Sequence, residues 1–360
     1  MSKANPTKDV FSANHVMRTF QVDTTKQTLI NLEERGEIPT ATRVQRGKTS
    51  YRMWDLEQLP KIGEKLGFLK KPECPKVVSV FSLKGGTSKS SLSFQLARSF
   101  ALHNVRTLVI GLDAQETITQ TLAKSTGTLF NEDTSGIYHV LAGGVDLSST
   151  IRGTDLETLH FIPETIELSV LDMWLKNQKR KEYVFRERLV APLVESGNYD
   201  LILFDCNPAW SEMVTGALGA SDTLLSPLGA DINSLKAAKI FIELLADFQD
   251  EMKHTFKTLR IIPTMVEPNK LSQTILAKYR VQYEDLCTVG AIRRAIAVQE
   301  SNVQGKALLE VGNNTAVYQD FIEVMREINA ELMDNPAPFQ SDAEFPVELQ
   351  GGQFQQSING

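Results

Sequence analysis

Lys84-Gly85-Gly86-Thr87-Ser88-Lys89-Ser90 follows the apolar run Val77-Val78-Ser79-Val80-Phe81-Ser82. It precedes Ser91-Leu92-Ser93-Phe94-Gln95-Leu96-Ala97-Arg98, whose apolar positions have helical spacing. Strand, glycine turn and helix form the context that a phosphate-binding loop needs. Glycines let backbone N–H groups approach phosphate oxygens, and the new helix aims its positive end at them. In that reading Lys89 reaches the β- and γ-phosphates and Ser90 gives its hydroxyl to Mg²⁺. The ordinary pattern G-x-x-x-x-G-K-[ST] fails, because Leu83 and Ser88 stand where its glycines belong. The segment fits K-G-G-x-x-K-[ST] instead, with a second lysine, Lys84, at its start. At average usage such a match is expected by chance on the order of once in a thousand chains of this length. The bland reading, a glycine turn carrying solvated lysines, does not account for the strand before it and the helix after it.

Outward from the loop, strand-like and helix-like segments alternate. Strand candidates are 77–82, 107–112, 159–162, 200–205, 223–226 and 259–263, and they are continuous apolar runs, as buried parallel strands are. Helical patterns fall near 89–103, 167–196, 233–252, 270–285 and 315–334. The expected fold class is α/β: a doubly wound, mostly parallel sheet with right-handed crossovers and a deviant P-loop, plus a small N-terminal winged helix-turn-helix domain. Ligands of such sheets sit beyond the carboxyl ends of the strands, which is where the Lys84–Ser90 loop lies. The domain expectation is a flexible N-terminus over 1–10, a helical unit over 11–69, a linker over 70–76, the α/β body over 77–335 and a disordered Pro-, Gln-, Gly- and Ser-rich tail over 336–360.

With 360 residues, 42% hydrophobic and 23% charged, the composition is that of a globular protein and excludes wholesale disorder. No apolar run approaches the ~20 residues of a membrane span. The N-terminus is polar and lacks the apolar core of a secretion signal. Three scattered cysteines, Cys74, Cys206 and Cys287, suit neither a disulfide framework nor a Cys-rich metal site. The five histidines form no metal-ligand spacing. The expected compartment is the cytoplasm. Residues 1–76 hold 14 Lys and Arg against 9 Asp and Glu, a net of +5. With −6 for the whole chain, the remainder carries −11. A basic head on an acidic body suits an anionic partner for the head, or is a solvated imbalance of no consequence.

Two further strand ends bear on the loop. Thr107-Leu108-Val109-Ile110-Gly111-Leu112-Asp113 places an acid at a strand tip, where it orients a water or serves as a turn or cap residue. Tyr199-Asp200-Leu201-Ile202-Leu203-Phe204-Asp205 is an apolar strand ending in Asp, the Walker B arrangement whose carboxylate holds Mg²⁺. Alone that signal is weak; after a P-loop it gains weight.

These residues together resemble the ParA-type partition ATPases, within the deviant-Walker group that includes MinD. Family loops read K-G-G-V-G-K-T-T, matched by Lys84 to Ser91. The family segment D-x-D-P-Q is matched in part by Gly111-Leu112-Asp113-Ala114-Gln115, and D-C-P-P-S by Asp205-Cys206-Asn207-Pro208-Ala209. A later stretch, I-P-R-N…E-A-P-x-x-G-K, is similar to Ile292-Arg293-Arg294-Ala295 and Glu300 to Lys306. The similarity spans about 76–335 with the motifs in order. It implies ATP and Mg²⁺ as cofactors, with Gly85, Gly86, Thr87, Ser88 and Ser91 around the phosphates and Ser90 and Asp205 at the metal. It implies that Lys84 reaches the partner's phosphates across a nucleotide-sandwich homodimer and that Asp113 positions the attacking water. Pro263-Thr264-Met265 and Arg293-Arg294 resemble segments near the adenine. Three positions depart from the pattern: Ser88 for Gly, Gly111 for Asp and Ala114 for Pro. Ser88 must avoid a positive φ or bear its strain. Gly111 removes a carboxylate near the metal, so a slow ATPase is expected.

In the head, Phe11 to Glu33 reads as helix, turn, helix, with Asp23-Thr24-Thr25 capping the second helix. That helix presents Thr24, Thr25, Lys26, Gln27 and Asn31, a composition suited to the major groove. Gly36-Glu37-Ile38-Pro39 ends it. Arg43 to Arg52 resembles a wing, in which Arg43, Arg46, Lys48 and Arg52 contact phosphates and set affinity rather than sequence choice. The stretch is similar to the winged helix-turn-helix of MerR-like regulators and to the head of larger plasmid-type ParA proteins. A helical dimerisation or packing domain is the other reading. On the body, Lys236, Lys239, Lys270, Lys278, Arg280 and Arg293 are candidates for non-specific DNA contact or plain solvated charges.

The expectation is a cytoplasmic, nucleoid-associated ATPase of plasmid or chromosome partition. It dimerises on ATP, binds DNA non-specifically and hydrolyses ATP when a centromere-binding partner protein stimulates it; the head also represses its own operon. The alternatives are a nucleotide-sensing transcription regulator with little hydrolysis and a MinD-like positioning ATPase. The latter needs a basic amphipathic C-terminal helix, which 336–360 do not offer, so no membrane partner is expected. An iron–sulfur reductase of the same loop class lacks the cysteines it needs.

Overall fold

The computed structural model describes residues 9–23, 25–126, 134–312 and 315–334, and of Arg46 the backbone only. The expectations for Thr24, for the Arg46 side chain, for residues 1–8 and for the tail over 336–360 lie outside the described residues.

The head runs β1 (Val10–Ser12), α1 (Ala13–Thr19), α2 (Lys26–Glu34), β2 (Thr42–Arg46), β3 (Thr49–Asp55) and α3 (Leu59–Leu66). Val10, expected in the flexible N-terminus, already pairs with Asp55. The strands form an antiparallel sheet in the order β1-β3-β2. α2 stops where Gly36 takes φ 71°, a left-handed conformation open to glycine. Gly47, at φ 62°, makes the two-residue tip of the β2–β3 hairpin. Thr25 is the N-cap of α2, without a side-chain hydrogen bond to the helix backbone.

The body begins with β4 (Lys76–Val80), α4 (Lys89–Leu102), β5 (Thr107–Leu112) and α5 (Thr117–Ala123). Short helices α6 (Ile137–Leu141) and α7 (Leu147–Thr150) lead to β6 (Arg152–Gly153) and β7 (Leu159–Ile162). α8 (Leu168–Lys176) and α9 (Ala191–Glu195) precede β8 (Leu201–Cys206), α10 (Glu212–Gly219), β9 (Thr223–Gly229), α11 (Ile232–Met252) and β10 (Thr258–Thr264). α12 (Lys270–Gln282), α13 (Ile296–Val303), α14 (Leu308–Val311) and α15 (Ala316–Met333) complete it. The helix expected over 167–196 is broken. Arg180 turns left-handed at φ 52°, and a π-turn, Arg186–Val190, precedes Pro192. Proline has no N–H for the preceding turn and crowds the carbonyl there, so the helix widens before it.

The body sheet has the order β10-β9-β4-β8-β5-β7-β6, parallel except for the short edge strand β6. Successive strand residues enter opposite cores. Val78, Val109, Leu203 and Ile262 face the layer of α4, α13, α14 and α15, whereas Val77, Leu108, Ile202 and Ile261 face α8 to α12. Both faces are dry, which is why the strands read as unbroken apolar runs. From β4 the chain crosses to β5 on one side, and from β8 to β9 on the other. The loop after β4 therefore lies at the switch point, where the crevice opens.

The head shares the first of these cores. Val16, Phe20, Leu29, Trp54 and Ile62 belong to one cluster with Leu96, Phe100, Leu309 and Phe321. Thr19 Oγ1 donates to the Leu309 carbonyl at 3.0 Å, and Tyr318 OH donates to the Arg18 carbonyl at 2.5 Å. The stretch expected as a linker is held: the Lys70 N–H donates to Asn329 Oδ1 at 2.9 Å, and Asn329 Nδ2 donates back to the Lys70 carbonyl at 3.0 Å.

Candidate active site

The phosphate-loop candidate turns between β4 and α4. Gly86 has φ 75° and Ser88 φ 67°. For glycine that region is free; for serine it costs about 1–2 kcal/mol. The loop is braced from within and from β10. Thr87 Oγ1 lies 2.8 Å from Ser82 Oγ, Thr264 Oγ1 donates to the Thr87 carbonyl at 3.0 Å, and Ser88 Oγ points at Met265 Sδ, 3.4 Å away.

Lys89, the first residue of α4, is 7% exposed, and its Nζ donates to the Lys84 carbonyl at 3.1 Å. Burial pulls its pKa down, and the carboxylate of Asp205 opposes that pull. Asp205 stands near the end of β8, in register with Val80 of β4 and Gly111 of β5. Its Oδ1 accepts from Ser93 Oγ at 2.7 Å, and the nearby Ser90 hydroxyl also favours the charged carboxylate. Burial raises its pKa to about 6, against those two hydroxyls. Its Oδ2 is buried with no hydrogen-bond partner. A hard cation suits this: one orphaned carboxylate oxygen beside one serine hydroxyl is the protein's usual share of a Mg²⁺ shell completed by phosphate and water. No group of three or more His, Cys, Asp or Glu side chains that could hold a metal occurs among the described residues.

Asp113 follows β5 and is half-buried; its Oδ1 accepts from the Gln115 N–H at 3.0 Å. Asp113 and Asp205 both act electrostatically on Lys89, so the two acids and the lysine share one neighbourhood. Lys84 turns the other way. Its ammonium lies 2.7 and 2.8 Å from the oxygens of Asp231 and 3.1 Å from Ser234 Oγ, at the start of α11. Burial alone would raise the Asp231 pKa, but Lys84 and the Ser234 hydroxyl bring it below the usual value.

A cavity of about 170 Å³ opens beside the loop. Ser88, Ser91, Thr264, Met265, Arg294 and Phe321 contribute to its wall. Of the segments expected near adenine, Thr264, Met265, Arg293 and Arg294 line it, whereas Pro263 does not. The Arg293 guanidinium is held by Asp320 at 2.6 and 2.8 Å. Arg280 is engaged with the Val289 carbonyl at 2.6 Å, whereas Lys236, Lys239, Lys270 and Lys278 are exposed.

In the head, Thr25, Lys26, Gln27, Arg43 and Lys48 are exposed. Gln27 Nε2 donates to Asn31 Oδ1 at 2.9 Å along α2. Arg52, also expected on phosphate, is engaged within the head. Its Nε pairs with Glu33 Oε2 at 2.6 Å, tying β3 to α2.

Sequence reasoning missed three residues here: Ser93, Asp231 and Glu164. Glu164 follows β7, is 3% exposed, and lies against Gly111, where a Cβ would fall 2.4 Å from its Cγ. Burial, aided by Asp205, pushes its carboxyl well above the usual range. The signal for both missed acids was an acid within two residues of a strand end, as at Asp113. Which strand end faces the loop depends on sheet order.

The family profile described as AAA domain matches residues 75–258, beginning where the head ends. The chromosome partitioning protein ParA of Caulobacter vibrioides is 24% identical over 263 residues, covering 73% of this chain and 97% of that one. Among solved structures, an ATP complex of a McdA variant from Cyanothece superposes with a TM-score of 0.63 at 22% identity, covering 72% and 96% of the two chains. A plasmid partition protein from Borrelia burgdorferi superposes with a TM-score of 0.57 at 23% identity, covering 72% and 99%.

Proposed function

The chain belongs to the AAA domain family, and on that premise we propose that it is a ParA-type ATPase of DNA partition that works as an ATP-dependent sandwich dimer. The observation that carries this reading is the pair of lysines on one loop, Lys89 buried inside it and Lys84 at its rim. Lys89 and the loop N–H groups hold the β- and γ-phosphates. Ser90 and Asp205 hold Mg²⁺, which neutralises phosphate charge when bound. Asp113 orients the attacking water. Met265 and Arg294 line the side where the base sits.

Lys84 is the cation supplied in trans. Its pair with Asp231 is partly exposed on both sides, and such pairs are worth about 0–1 kcal/mol. A triphosphate at the dimer interface exceeds that, so the ammonium exchanges one anion for the other. The dimer binds DNA without sequence preference, and a partner protein at a centromere-like site stimulates hydrolysis. The head acts as a winged helix-turn-helix, with Lys26 and Gln27 toward base edges and Arg43 and Lys48 on phosphates.

The test is ATP turnover measured with Mg²⁺, then with DNA, then with DNA and the cognate partner. Turnover is expected to be slow alone, to rise with both additions, and to vanish in Lys89→Ala. Lys84→Ala is expected to bind ATP yet stay monomeric by light scattering. Absence of turnover under every condition would leave a nucleotide-sensing regulator, the reading that the strained Ser88 favours.

A further inference from the structure

Gly111 stands where the resembled family carries an acid, and the space above it is occupied. An ideal Cβ on Gly111 would lie 2.4 Å from Cγ, 2.5 Å from Cδ and 2.6 Å from Oε1 of Glu164. Those contacts are shorter than any Cβ tolerates, so β5 reads glycine here because a carboxyl group from the neighbouring strand needs the room. The sheet delivers it. β7 pairs with β5 through Ile110 and Ile162, and two residues later Glu164 folds back over the rung at Gly111.

The carboxyl group is not loose in that space. Glu164 Oε1 accepts from the Asp113 N–H at 3.1 Å, and Oε2 accepts from the Thr119 N–H at 3.3 Å in the first turn of α5. The Glu164 N–H donates to Thr119 Oγ1 at 2.8 Å, closing a reciprocal pair. Both ends of the turn from Asp113 to Thr119 are thus fastened to one side chain. Glu116, inside that turn, is left-handed at φ 56°, a conformation that persists only where its surroundings hold it.

We propose that Glu164 is a positioning residue for hydrolysis: entering from β7 over Gly111, it replaces the missing strand acid and fixes the backbone that aims Asp113. This rests on the reading of Asp113 as the residue that orients the attacking water. An acid is therefore not lost from the site by the Gly111 departure. It is supplied from a neighbouring strand.

The experiment compares wild type with Glu164→Ala, Glu164→Gln and the double variant Glu164→Ala/Gly111→Asp, using full-length protein. Two readouts are taken: steady-state ATP turnover and amide hydrogen exchange at Asp113 and Thr119. Glu164→Ala is expected to lower kcat about tenfold or more with KM within about threefold, the pattern of a residue acting in the transition state. Exchange at both amides is expected to accelerate while global unfolding stays slow. Glu164→Gln keeps one of the two acceptor oxygens and sets an NH₂ group against the other N–H, so it is expected to lose part of kcat, clearly less than Glu164→Ala. The double variant returns a carboxyl group to the vacated space and is expected to recover most of the lost kcat, whereas Gly111→Asp alone, with Glu164 in place, is expected to destabilise the protein. Unchanged kcat in Glu164→Ala, or equal loss in the Ala, Gln and double variants, overturns the proposal. If wild type shows no turnover, the ATPase reading fails by itself; unaltered exchange at Asp113 in Glu164→Ala then overturns the positioning role separately.

Discussion

Ser88 holds a left-handed backbone that its Cβ resists, at the residue where the phosphate loop becomes α4. The strain of about 1–2 kcal/mol is set against the ~0.4–1 kcal/mol that a glycine would lose by freeing the unfolded chain. Ser88→Gly is therefore expected to raise the melting temperature of the nucleotide-free protein by roughly one to three degrees, on the ~2–4 °C per kcal/mol scale of larger domains. A lower melting temperature would mean that the contact with Met265 outweighs the strain. At this scale the site was largely legible. Lys84, Lys89, Ser90, Asp113 and Asp205 lie on the loop or at strand ends that the chain itself carries there. Asp231 and Glu164 were not legible, because they reach the loop through the neighbours that sheet order gives β4 and β5, and a sequence does not state that order.

Helix α4 shows what periodicity leaves out. Its polar residues Ser91, Gln95 and Arg98 recur at helical spacing and form a seam under α13 and α14. Gln95 Nε2 donates to Ser301 and Asn302 at 3.0 Å each, and its Oε1 accepts from the Leu308 N–H at 2.8 Å. Ser91 accepts from Asn302 Nδ2 at 2.9 Å. Arg98 pairs with Glu310, each with a side chain 1% exposed, and also with Asp155 at 2.7 Å. Removing one member strands a buried charge, so Arg98→Ala is expected to cost about 3–5 kcal/mol in urea unfolding. A loss below about 1 kcal/mol would mean that Glu310 is rehydrated once Arg98 is gone. Glu310 belongs to α14, whose carbonyls receive Thr19 and His15 from the head. The helix that begins at the phosphate loop and the head are therefore joined through one short helix.

At the scale of the whole molecule, head and body meet around His103. Its ring packs edge-on against Phe20 and Phe68, its Nδ1 lies 2.7 Å from the Ser99 carbonyl, and its Nε2 has no partner. Burial, with a small push from Lys70, lowers its pKa from 6.5 to about 4. The unfolded chain takes up this proton as pH falls through 6.5, and the folded protein only near 4, so the stability it confers is whole above 6.5 and is lost between the two. The span corresponds to about 3 kcal/mol. His254, lowered likewise to about 4, adds to the same limb. His103→Gln is expected to reduce the fall of the urea midpoint between pH 7 and 4.5 by a third to a half, and an unchanged fall would exclude the junction as its source.

Pro72 and Pro75 announced a break in secondary structure, and there is one. Nothing in the local sequence announced that Asn329, 259 residues away, holds both polar groups of the Lys70 backbone. A peptide that punctuates the chain need not hinge it. With no swivel between the units, any distance set between two bodies is set between their two heads as well. On the proposed function, a pair of these chains would act as a caliper: closing the bodies on nucleotide would fix the gap between the heads, and only DNA sites spaced to that gap would engage both at once.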